Sequence, residues 1–185
     1  ILMKIIMSKV ISELLNEDGI KKTLLRLSHE IVEKKTDLSK LAIIGIRTRG
    51  DIIAKRIKDN VKFLYDNDID LGTLDVTFYR DDFSSNLGSP KVGPSIIPFS
   101  LENKNIILVD DVLYTGRTIR AAMDEIFSFG RPNSIELAVL VDRGHRELPI
   151  KANYIGKNYP TAQNEHIHVY VKEVDKKEKV NLLLY

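Results

Sequence analysis

Two adjacent carboxylates, Asp110 and Asp111, follow an apolar run and precede a short loop that opens a helix. The loop consists of Val112, Leu113, Tyr114, Thr115, Gly116, Arg117 and Thr118. N–H groups at a helix start lack intrahelical partners and lie at the positive end of the dipole, so the loop suits a phosphate. Adjacent carboxylates repel each other unless they bind a diol or face a divalent cation. A ribose 5-phosphate satisfies both halves of the pattern, whereas the alternative is a capped helix after an acidic turn.

The loop has neither the Gly-Lys-Ser/Thr ending of a Walker A loop nor the Gly-x-Gly-x-x-Gly of a dinucleotide turn. The acidic pair followed by Thr115-Gly116-Arg117-Thr118 instead resembles the phosphoribosyl diphosphate (PRPP) motif of type I phosphoribosyltransferases. That resemblance includes the flanking strand and helix.

A second group of anion-binding residue types follows the apolar run at 41–46 and consists of Arg47, Thr48, Arg49 and Gly50. Two guanidinium groups, a hydroxyl and a glycine at the ligand-binding edge of an α/β sheet favour pyrophosphate. A basic turn on the surface is the alternative.

Residues 80–98 form a long segment without a strand or helix pattern, which is typical of a flexible lid loop. A lid would exclude water from a reaction that passes through an oxocarbenium-like sugar. Arg80 is predicted to reach phosphate oxygens from this lid, whereas Asp81 and Asp82 are predicted to stay solvated.

Asp142 and Arg143 follow another apolar run and are predicted to bind a planar base beside the ribose. Arg143 would pack over the ring, and backbone amides and carbonyls would read the edge of a pyrimidine. No role is assigned to His145, because a lone loop histidine is more often neither acid nor base.

These residues require strands that end at a common edge, and the hydrophobic pattern predicts such an arrangement. Strands are predicted at 41–46, 73–79, 106–109 and 135–141, with an edge-like strand at 166–171. Helices are predicted at 19–35, around 52–57 and from 119 to about 130. Strands separated by helices indicate an α/β fold with a central, mostly parallel sheet flanked by helices.

Composition favours one compact domain spanning 1–185, since the chain has 185 residues and is 43% hydrophobic. A net charge of +2 argues mildly for anionic partners, and the absence of cysteine excludes disulfides and thiolate chemistry. We expect a cytoplasmic protein without a membrane segment or signal peptide. Since Ile1 is not a normal initiator, the native start is expected at Met3 or Met7, or else residues 1–7 are not native.

Five ordered motifs together resemble the PyrR family, whose members are pyrimidine operon attenuation regulators and uracil phosphoribosyltransferases. The motifs are residues 45–50, 77–82, 110–118, 141–150 and 156–161, and the likeness extends from about 20 to 175. The resemblance implies a type I phosphoribosyltransferase fold with a small hood, and conversion of uracil and PRPP to UMP and pyrophosphate. It implies Mg²⁺ held largely by the diphosphate and ribose hydroxyls, with Asp110 and Asp111 as possible further ligands. It also suggests a homodimer or a higher homo-oligomer.

The same resemblance assigns roles to the residues above. Asp110 and Asp111 bind the ribose diol and stabilise charge at C1, while residues 112–118 anchor the 5-phosphate. Arg47, Thr48, Arg49 and Gly50 orient the leaving pyrophosphate, and Arg80 closes over it. Such catalysis depends on positioning and electrostatics, so it needs no covalent nucleophile.

Regulation would require a surface that binds the leader mRNA of a pyrimidine operon, and UMP or UTP would control that binding. The candidate RNA-binding residues are Lys22, Arg26, His29, Arg146 and Lys157. A solvated basic face gives the same pattern. Two alternatives therefore stay open: a purely salvage phosphoribosyltransferase without RNA binding, and a catalytically weak nucleotide-sensing RNA-binding regulator.

Overall fold

The computed structural model describes residues 9–76 and 93–184. Within these residues the chain forms a five-stranded sheet of order β3-β2-β4-β5-β6 and a three-stranded sheet of order β1-β8-β7. The strands are β1 (Lys9–Asn16), β2 (Leu41–Ile46), β3 (Asp70–Leu74), β4 (Asn105–Leu113), β5 (Ser134–Asp142), β6 (Tyr154–Asn158), β7 (Glu165–Tyr170) and β8 (Lys179–Leu184). The helices are α1 (Glu17–Glu33), α2 (Gly50–Tyr65), α3 (Arg117–Phe129) and α4 (Lys172–Asp175), and a 3-10 turn spans Leu38–Lys40.

The five-stranded sheet is parallel and carries helices on both faces, which confirms the predicted fold class. Its pairs β2–β3, β2–β4, β4–β5 and β5–β6 all run in the same direction. Ile43 and Val109 belong to the core that includes α1 and α2, whereas Ile44 and Leu108 belong to the core that includes α3. Burial of each such side chain stabilises the fold by about 1.5–3 kcal/mol, so the strands hold their carboxyl ends firmly at one edge.

The predicted helices are present, with small shifts at the ends of α1 and α3, and α2 continues well beyond residue 57 to Tyr65. Helix α1 begins at Glu17 rather than at residue 19, because Asn16 caps it by accepting a 2.8 Å hydrogen bond from the Gly19 amide. Helix α3 begins at Arg117, directly after Gly116, whose φ of 95° lies in the left-handed region. A glycine adopts that conformation at no steric cost, so the loop can turn sharply into the helix.

The strand predicted at 73–79 is shifted in the structure. Strand β3 spans Asp70–Leu74, and residues 77–79 lie outside the described residues. The ladder with β2 ends at the pair of Ile46 and Leu74, after which the Asp75 amide bonds to the Ser95 hydroxyl. Residues 75 and 76 therefore lie beyond the ladder, although the alternating pattern continues through them.

Strand β4 continues beyond the predicted end at residue 109. It runs to Leu113, and Val112 and Leu113 still pair with Val141 and Asp142 of β5. The polar residues within this stretch break the apolar pattern but not the hydrogen-bonded ladder. The acidic pair accordingly lies inside the strand and not in the turn after it.

The second sheet and α4 form a small unit that we call the hood. The strand predicted at 166–171 is present as β7 and is an edge strand, but it pairs antiparallel with β8 in the hood. Strands β1, β6 and β8 were not predicted, because none of them has a clean alternation of apolar and polar residues. No helix among the described residues is long and apolar enough to cross a membrane.

Candidate active site

Three of the predicted loops meet at the carboxyl edge of the parallel sheet. Residues 47–50 follow β2, residues 114–118 follow β4, and residues 143–150 follow β5. Since β2, β4 and β5 are adjacent and parallel, their carboxyl ends lie side by side. The structure therefore brings together the acidic pair, the phosphate loop, the basic loop and the predicted base-binding segment.

The acidic pair is buried, since Asp110 is 3% and Asp111 is 6% exposed. One carboxylate oxygen of each residue is held locally: Asp110 Oδ1 accepts from the Asp111 amide at 2.9 Å, and Asp111 Oδ1 accepts from the Val112 amide at 2.8 Å. Asp111 Oδ2 accepts no hydrogen bond within the described part of the chain. A ligand hydroxyl can therefore donate to that oxygen.

The basic loop lies directly against the acidic strand because two glycines allow it. A Cβ on Gly50 would lie 2.5 Å from the Val109 carbonyl oxygen and 3.0 Å from Asp110 Cα. A Cβ on Gly45 would lie 2.4 Å from Asp51 Cα. The start of α2 is thus packed on the backbone of β4, and the peptide bond between Arg47 and Thr48 in this loop is cis.

Arg47 lies beneath the chain that returns from the predicted lid. A Cβ on Gly93 would lie 2.0 Å from Arg47 Nη1, and the Gly93 amide donates to Asp75 Oδ2 at 2.6 Å. Further along, Ile96 exchanges backbone hydrogen bonds of 2.8 and 2.7 Å with Thr73 of β3. The end of the predicted lid at 93–98 is therefore anchored to the sheet, while Arg80 and the rest of the lid up to residue 92 lie outside the described residues.

Arg49 reaches the hood and not open solvent. It donates through Nε to Asp175 Oδ2 at 3.2 Å and through Nη2 to Asp175 Oδ1 at 3.0 Å. Its Nη2 also lies 3.4 Å from His168 Nε2. Burial and the neighbouring Arg49 charge lower the pKa of His168, so the imidazole is neutral near pH 7.

Asp51 adds a third carboxylate at this edge. It stands in the first turn of α2, and its Oδ2 lies 3.8 Å from Arg47 Nε. Burial raises the pKa of Asp51, and the charge of Asp111 adds to that rise. A hydrogen bond from the Ile52 amide and the charge of Arg47 lower the pKa, but they do not cancel the effect of burial. The negative charge of the site is thus spread over two elements and is balanced partly by the basic loop.

The phosphate loop is tied to the segment after β5. The Thr115 carbonyl accepts from the amides of Glu147 and Leu148 at 3.0 and 3.2 Å, and Thr115 itself is 4% exposed. Arg117 forms a 2.5 Å ion pair with Glu147. The first bond of α3 runs from the Arg120 amide to the Gly116 carbonyl, so the earlier amides at its start face away from the helix.

Arg146 was predicted to contact RNA, and in the structure its guanidinium binds groups within the protein. Its guanidinium donates to the carbonyls of Tyr114, Gly144 and Ile150 at 2.5, 3.2 and 3.0 Å, and to Asp142 Oδ2 at 2.5 Å. Its side chain is only 23% exposed. Arg146 therefore joins the phosphate loop to the base-binding segment. Its donors bind backbone carbonyls, and a sequence pattern cannot reveal such partners.

Asp142 and Arg143 lie at the predicted place, but their side chains bind protein groups. Asp142 accepts from the Gly144 amide at 3.0 Å as well as from Arg146. Arg143 is 3% exposed, donates to Thr161 Oγ1 and to the Glu165 carbonyl, and has its guanidinium 3.9 Å from the centre of the Tyr114 ring. Arg143 thus packs over a tyrosine of the phosphate loop, which leaves the backbone of this segment to meet a base.

The other candidate RNA-binding residues lie on or beside α1. Lys22 is 75% exposed and pairs with Asp18, while Arg26 is 51% exposed and donates to the carbonyls of Ile155 and Gly156. His29 Nδ1 lies 2.6 Å from the Tyr65 hydroxyl, and Lys157 Nζ donates to the Leu14 carbonyl at 3.3 Å. Lys22, Arg26 and His29 thus share α1, while Lys157 lies near the end of the neighbouring strand β6.

Sequence reasoning missed several residues of the site. Asp51, His168 and Asp175 face the basic loop or the acidic pair, and Glu147 pairs with the phosphate loop. Residue 175 closes a short helix whose local sequence has no ligand-binding pattern. Only Asp51 carried a usable signal, since acidic residues are common in the first turn of a helix.

Comparison with protein families gives a match to the phosphoribosyl transferase domain over residues 10–174. The chain is 45% identical over 177 residues to the bifunctional protein PyrR of Pelotomaculum thermopropionicum, covering 96% of this chain and 98% of that protein. It is 51% identical over 174 residues to the bifunctional protein PyrR of Elusimicrobium minutum, covering 93% and 97%.

Solved structures of similar fold include a hypoxanthine-guanine phosphoribosyltransferase of Bacillus anthracis, with a TM-score of 0.71 and 18% identity over 97% of this chain and 100% of that one. A hypoxanthine phosphoribosyltransferase of Trypanosoma cruzi with its product IMP has a TM-score of 0.70 and 15% identity, covering 95% and 91%. At these identities the likeness concerns the fold alone.

Proposed function

The chain belongs to the PyrR family of phosphoribosyl transferase proteins, and from this premise we propose that its site converts uracil and PRPP to UMP and pyrophosphate. The protein is thus a uracil phosphoribosyltransferase that also regulates pyrimidine operon transcription. The observation that carries the proposal is the close packing of Gly50 on the backbone of Val109 and Asp110. This contact places an anion-binding loop within reach of the buried carboxylates that would hold the sugar.

The sugar end of the proposed site is formed by β4 and the start of α3. Asp110 and Asp111 accept hydrogen bonds from the ribose diol and stabilise positive charge that develops at C1. Residues 112–118, which end β4 and open α3, hold the 5-phosphate with amides and hydroxyls as donors. The hydrogen bonds from Glu147 and Leu148 fix this loop before the ligand arrives, which lowers the ordering cost of binding.

The pyrophosphate end is formed by residues 47–50. Arg47, Thr48 and Arg49 orient the diphosphate, and the Gly50 amide lies at the start of α2, where the helix dipole favours anions. Arg80 closes over the diphosphate from the lid. The base lies against the backbone that follows Asp142 and Arg143, whose side chains hold that backbone in shape.

Mg²⁺ fits this site as a partner of the diphosphate. Among the described residues no group of three or more His, Cys, Asp or Glu side chains could hold a metal alone. The acidic pair offers oxygen ligands only, which suits Mg²⁺, a cation that keeps several waters and binds through one or two carboxylates and phosphate oxygens. When bound, Mg²⁺ neutralises charge on the leaving pyrophosphate, and Asp110 and Asp111 are its candidate protein ligands.

The test of the enzymatic proposal is PRPP-dependent conversion of labelled uracil to UMP. We expect Asp111→Asn to reduce kcat/KM by on the order of 10²–10³-fold, because a neutral amide stabilises charge at C1 less well. Asp124→Asn is the matched control, since that carboxylate is 63% exposed on α3 and pairs with Arg120. An active protein that ignores uracil and accepts hypoxanthine or guanine would refute the substrate assignment.

Regulation is a second function, and the basic residues on and beside α1 support it. We propose that Lys22, Arg26, His29 and Lys157 contact leader RNA of a pyrimidine operon, with UMP or UTP controlling the affinity. Lys22 is the best probe because its side chain is 75% exposed and it pairs with Asp18 of the same helix. Arg26 also braces β6 through two carbonyls, so its loss would affect stability as well.

RNA binding is tested by titrating the operon's leader RNA at several salt concentrations. We expect Lys22→Gln to weaken binding and to reduce the salt slope by about 1, while uracil turnover is unchanged. Lys55→Gln is the matched control, because Lys55 is 67% exposed on α2 and pairs with Asp59 at the same spacing. If the protein turns over uracil fully but does not bind the leader at low salt, it is a purely salvage enzyme. If it binds RNA in a UMP-dependent manner with negligible turnover, it is a nucleotide-sensing regulator.

We further propose that residues 1–185 form a single domain that assembles as a homodimer or a higher homo-oligomer in the cytoplasm. Large apolar side chains on α2 and α3 support self-association, since Phe63 is 87% and Phe127 is 57% exposed. Sedimentation equilibrium over a range of protein concentrations measures the oligomeric state. A monomer at all concentrations would contradict this part of the proposal.

A further inference from the structure

We propose that Asp175 is a positioning residue that aims Arg49 at the diphosphate of PRPP, so that the hood forms part of the pyrophosphate end of the site. This inference rests on the proposed function of the basic loop. It extends that function to α4, a four-residue helix near the end of the chain.

The contact is a two-point ion pair between side chains that are largely shielded from solvent. Arg49 donates through Nε and Nη2 to the two oxygens of Asp175, and the side chains are 17% and 14% exposed. A two-point contact fixes the plane of a guanidinium as well as its position. Arg49 Nη1 makes no hydrogen bond within the described part of the chain, so it stays available for a further anion.

The carboxylate of Asp175 is itself held in a closed turn. Its Oδ2 accepts from the Val171 amide at 2.9 Å, and its own amide donates to the Val171 carbonyl at 2.8 Å. Burial alone would raise the pKa of Asp175, but hydrogen bonds from Arg49 and Val171 outweigh it and leave the pKa lowered. The carboxylate is therefore ionised near pH 7, and the Val171 amide holds one of its oxygens in place.

A neutral imidazole completes the setting of Arg49. His168 of β7 lies on the Nη2 side at 3.4 Å, and its ring packs on Tyr170 with 4.3 Å between centroids. The Nε and Nη2 atoms of Arg49 therefore face the Asp175 carboxylate and the His168 ring. These two neighbours restrict rotation of the guanidinium and so set the direction of Nη1.

Simple bracing of the hood does not explain this pair, because an arginine within α2 already joins that helix to the hood. Arg56 bonds to Glu173 of α4 at 2.7 Å and to Glu178 at 2.5 Å. Arg56 lies within α2, whereas Arg49 lies in the loop that precedes it. Both arginines bind carboxylates of α4, but only the pair of Arg49 and Asp175 includes a residue of the candidate pyrophosphate loop.

The experiment compares Asp175→Asn with Glu173→Gln, which removes a carboxylate of the same helix that binds Arg56. We expect Asp175→Asn to raise KM for PRPP and the inhibition constant of pyrophosphate about tenfold each, or about 1.4 kcal/mol. KM for uracil should stay within about twofold, because the base meets a different loop. Glu173→Gln should leave all three constants within about twofold, and Asp175→Glu should restore part of the loss.

Equal inhibition constants of pyrophosphate in wild type and Asp175→Asn would overturn the inference. It would also be overturned if Glu173→Gln raised the PRPP and pyrophosphate constants as much as Asp175→Asn does, because both ion pairs would then only stabilise the hood. If Asp175→Asn does not fold, the smaller shift of Asp175→Glu in the PRPP and pyrophosphate constants decides. Calorimetric titration with magnesium pyrophosphate repeats the comparison without turnover. A wild type that binds pyrophosphate but ignores uracil would refute the proposed substrate and leave this inference intact.

Discussion

Replacing Arg146 with methionine separates two roles for that residue: a clamp inside the protein and a contact for RNA on its surface. Methionine fills much of the same space but donates no hydrogen bond. The change removes the bonds to the carbonyls of Tyr114, Gly144 and Ile150 and leaves Asp142 without its ion pair. Asp142 is 12% exposed and would keep only the hydrogen bond from the Gly144 amide among its contacts within the described residues.

The magnitude follows from the burial of this pair. Removing one partner of a fully buried ion pair costs about 3–5 kcal/mol. Because the Arg146 side chain is 23% exposed, water would recover part of that, and we expect a loss of about 2–4 kcal/mol. For a chain of 185 residues this lowers Tm by about 5–15 °C.

The assay is thermal unfolding followed by circular dichroism, with uracil turnover measured well below Tm. Glu147→Gln is the matched control: it breaks an ion pair between the same two segments, but Arg117 and Glu147 are 63% and 50% exposed. That control should change stability by less than about 0.5 kcal/mol. Turnover of Arg146→Met should fall by up to about 10²-fold, because the phosphate loop loses its support.

The clamp is refuted if Arg146→Met has a Tm within about 2 °C of the wild type and normal turnover. Loss of leader RNA binding with that result would restore Arg146 to the RNA surface. A large fall in Tm with RNA affinity unchanged at low temperature would show that Arg146 does not contact RNA.

Two further predictions follow from contacts in the core. Gly50→Ala should cost about 1–3 kcal/mol and raise KM for PRPP, because its Cβ would lie 2.5 Å from the Val109 carbonyl; unchanged Tm and KM would contradict the close packing. Burial works to raise the pKa of Glu136, but hydrogen bonds from Lys35 and Tyr154 lower it from 4.5. The stability from this carboxylate is therefore present above pH 4.5 and is lost as pH falls through the lower folded-state pKa. Urea titrations from pH 7 to pH 3 should show a smaller acid loss in Glu136→Gln than in wild type, and parallel curves would refute the assignment.

Much of the fold could be predicted from the sequence because the determining signals are local. Apolar residues at 41–46 and 106–109 predicted β2 and most of β4, and helical spacing predicted α1 and α3. The ends were less predictable. The residues after 109 are polar yet continue the ladder with β5, and the chain leaves β3 at Leu74 because the next amide finds a side-chain partner.

The hood shows where local signals fail. Strands β1 and β8 come from opposite ends of the chain and pair only when the rest of the fold brings them together. Neither strand has a clean alternation of apolar and polar residues, and the consecutive apolar residues Val10 and Ile11 of β1 are both exposed. Their pairing depends on tertiary contacts, which no window of sequence contains.

The sequence by itself determined the chemistry of this protein, because the carboxylates, hydroxyls and glycines of a phosphate loop are contiguous in the chain. Asp110, Asp111 and the following Thr115-Gly116-Arg117-Thr118 indicated a sugar phosphate without any knowledge of the fold. Tertiary structure alone decided what each arginine does. Arg49 meets a carboxylate 126 residues away, and Arg146 donates to carbonyls that every residue type carries. A guanidinium reads the same in sequence whether it faces water, a ligand or the backbone, so its partners are known only once the chain has folded.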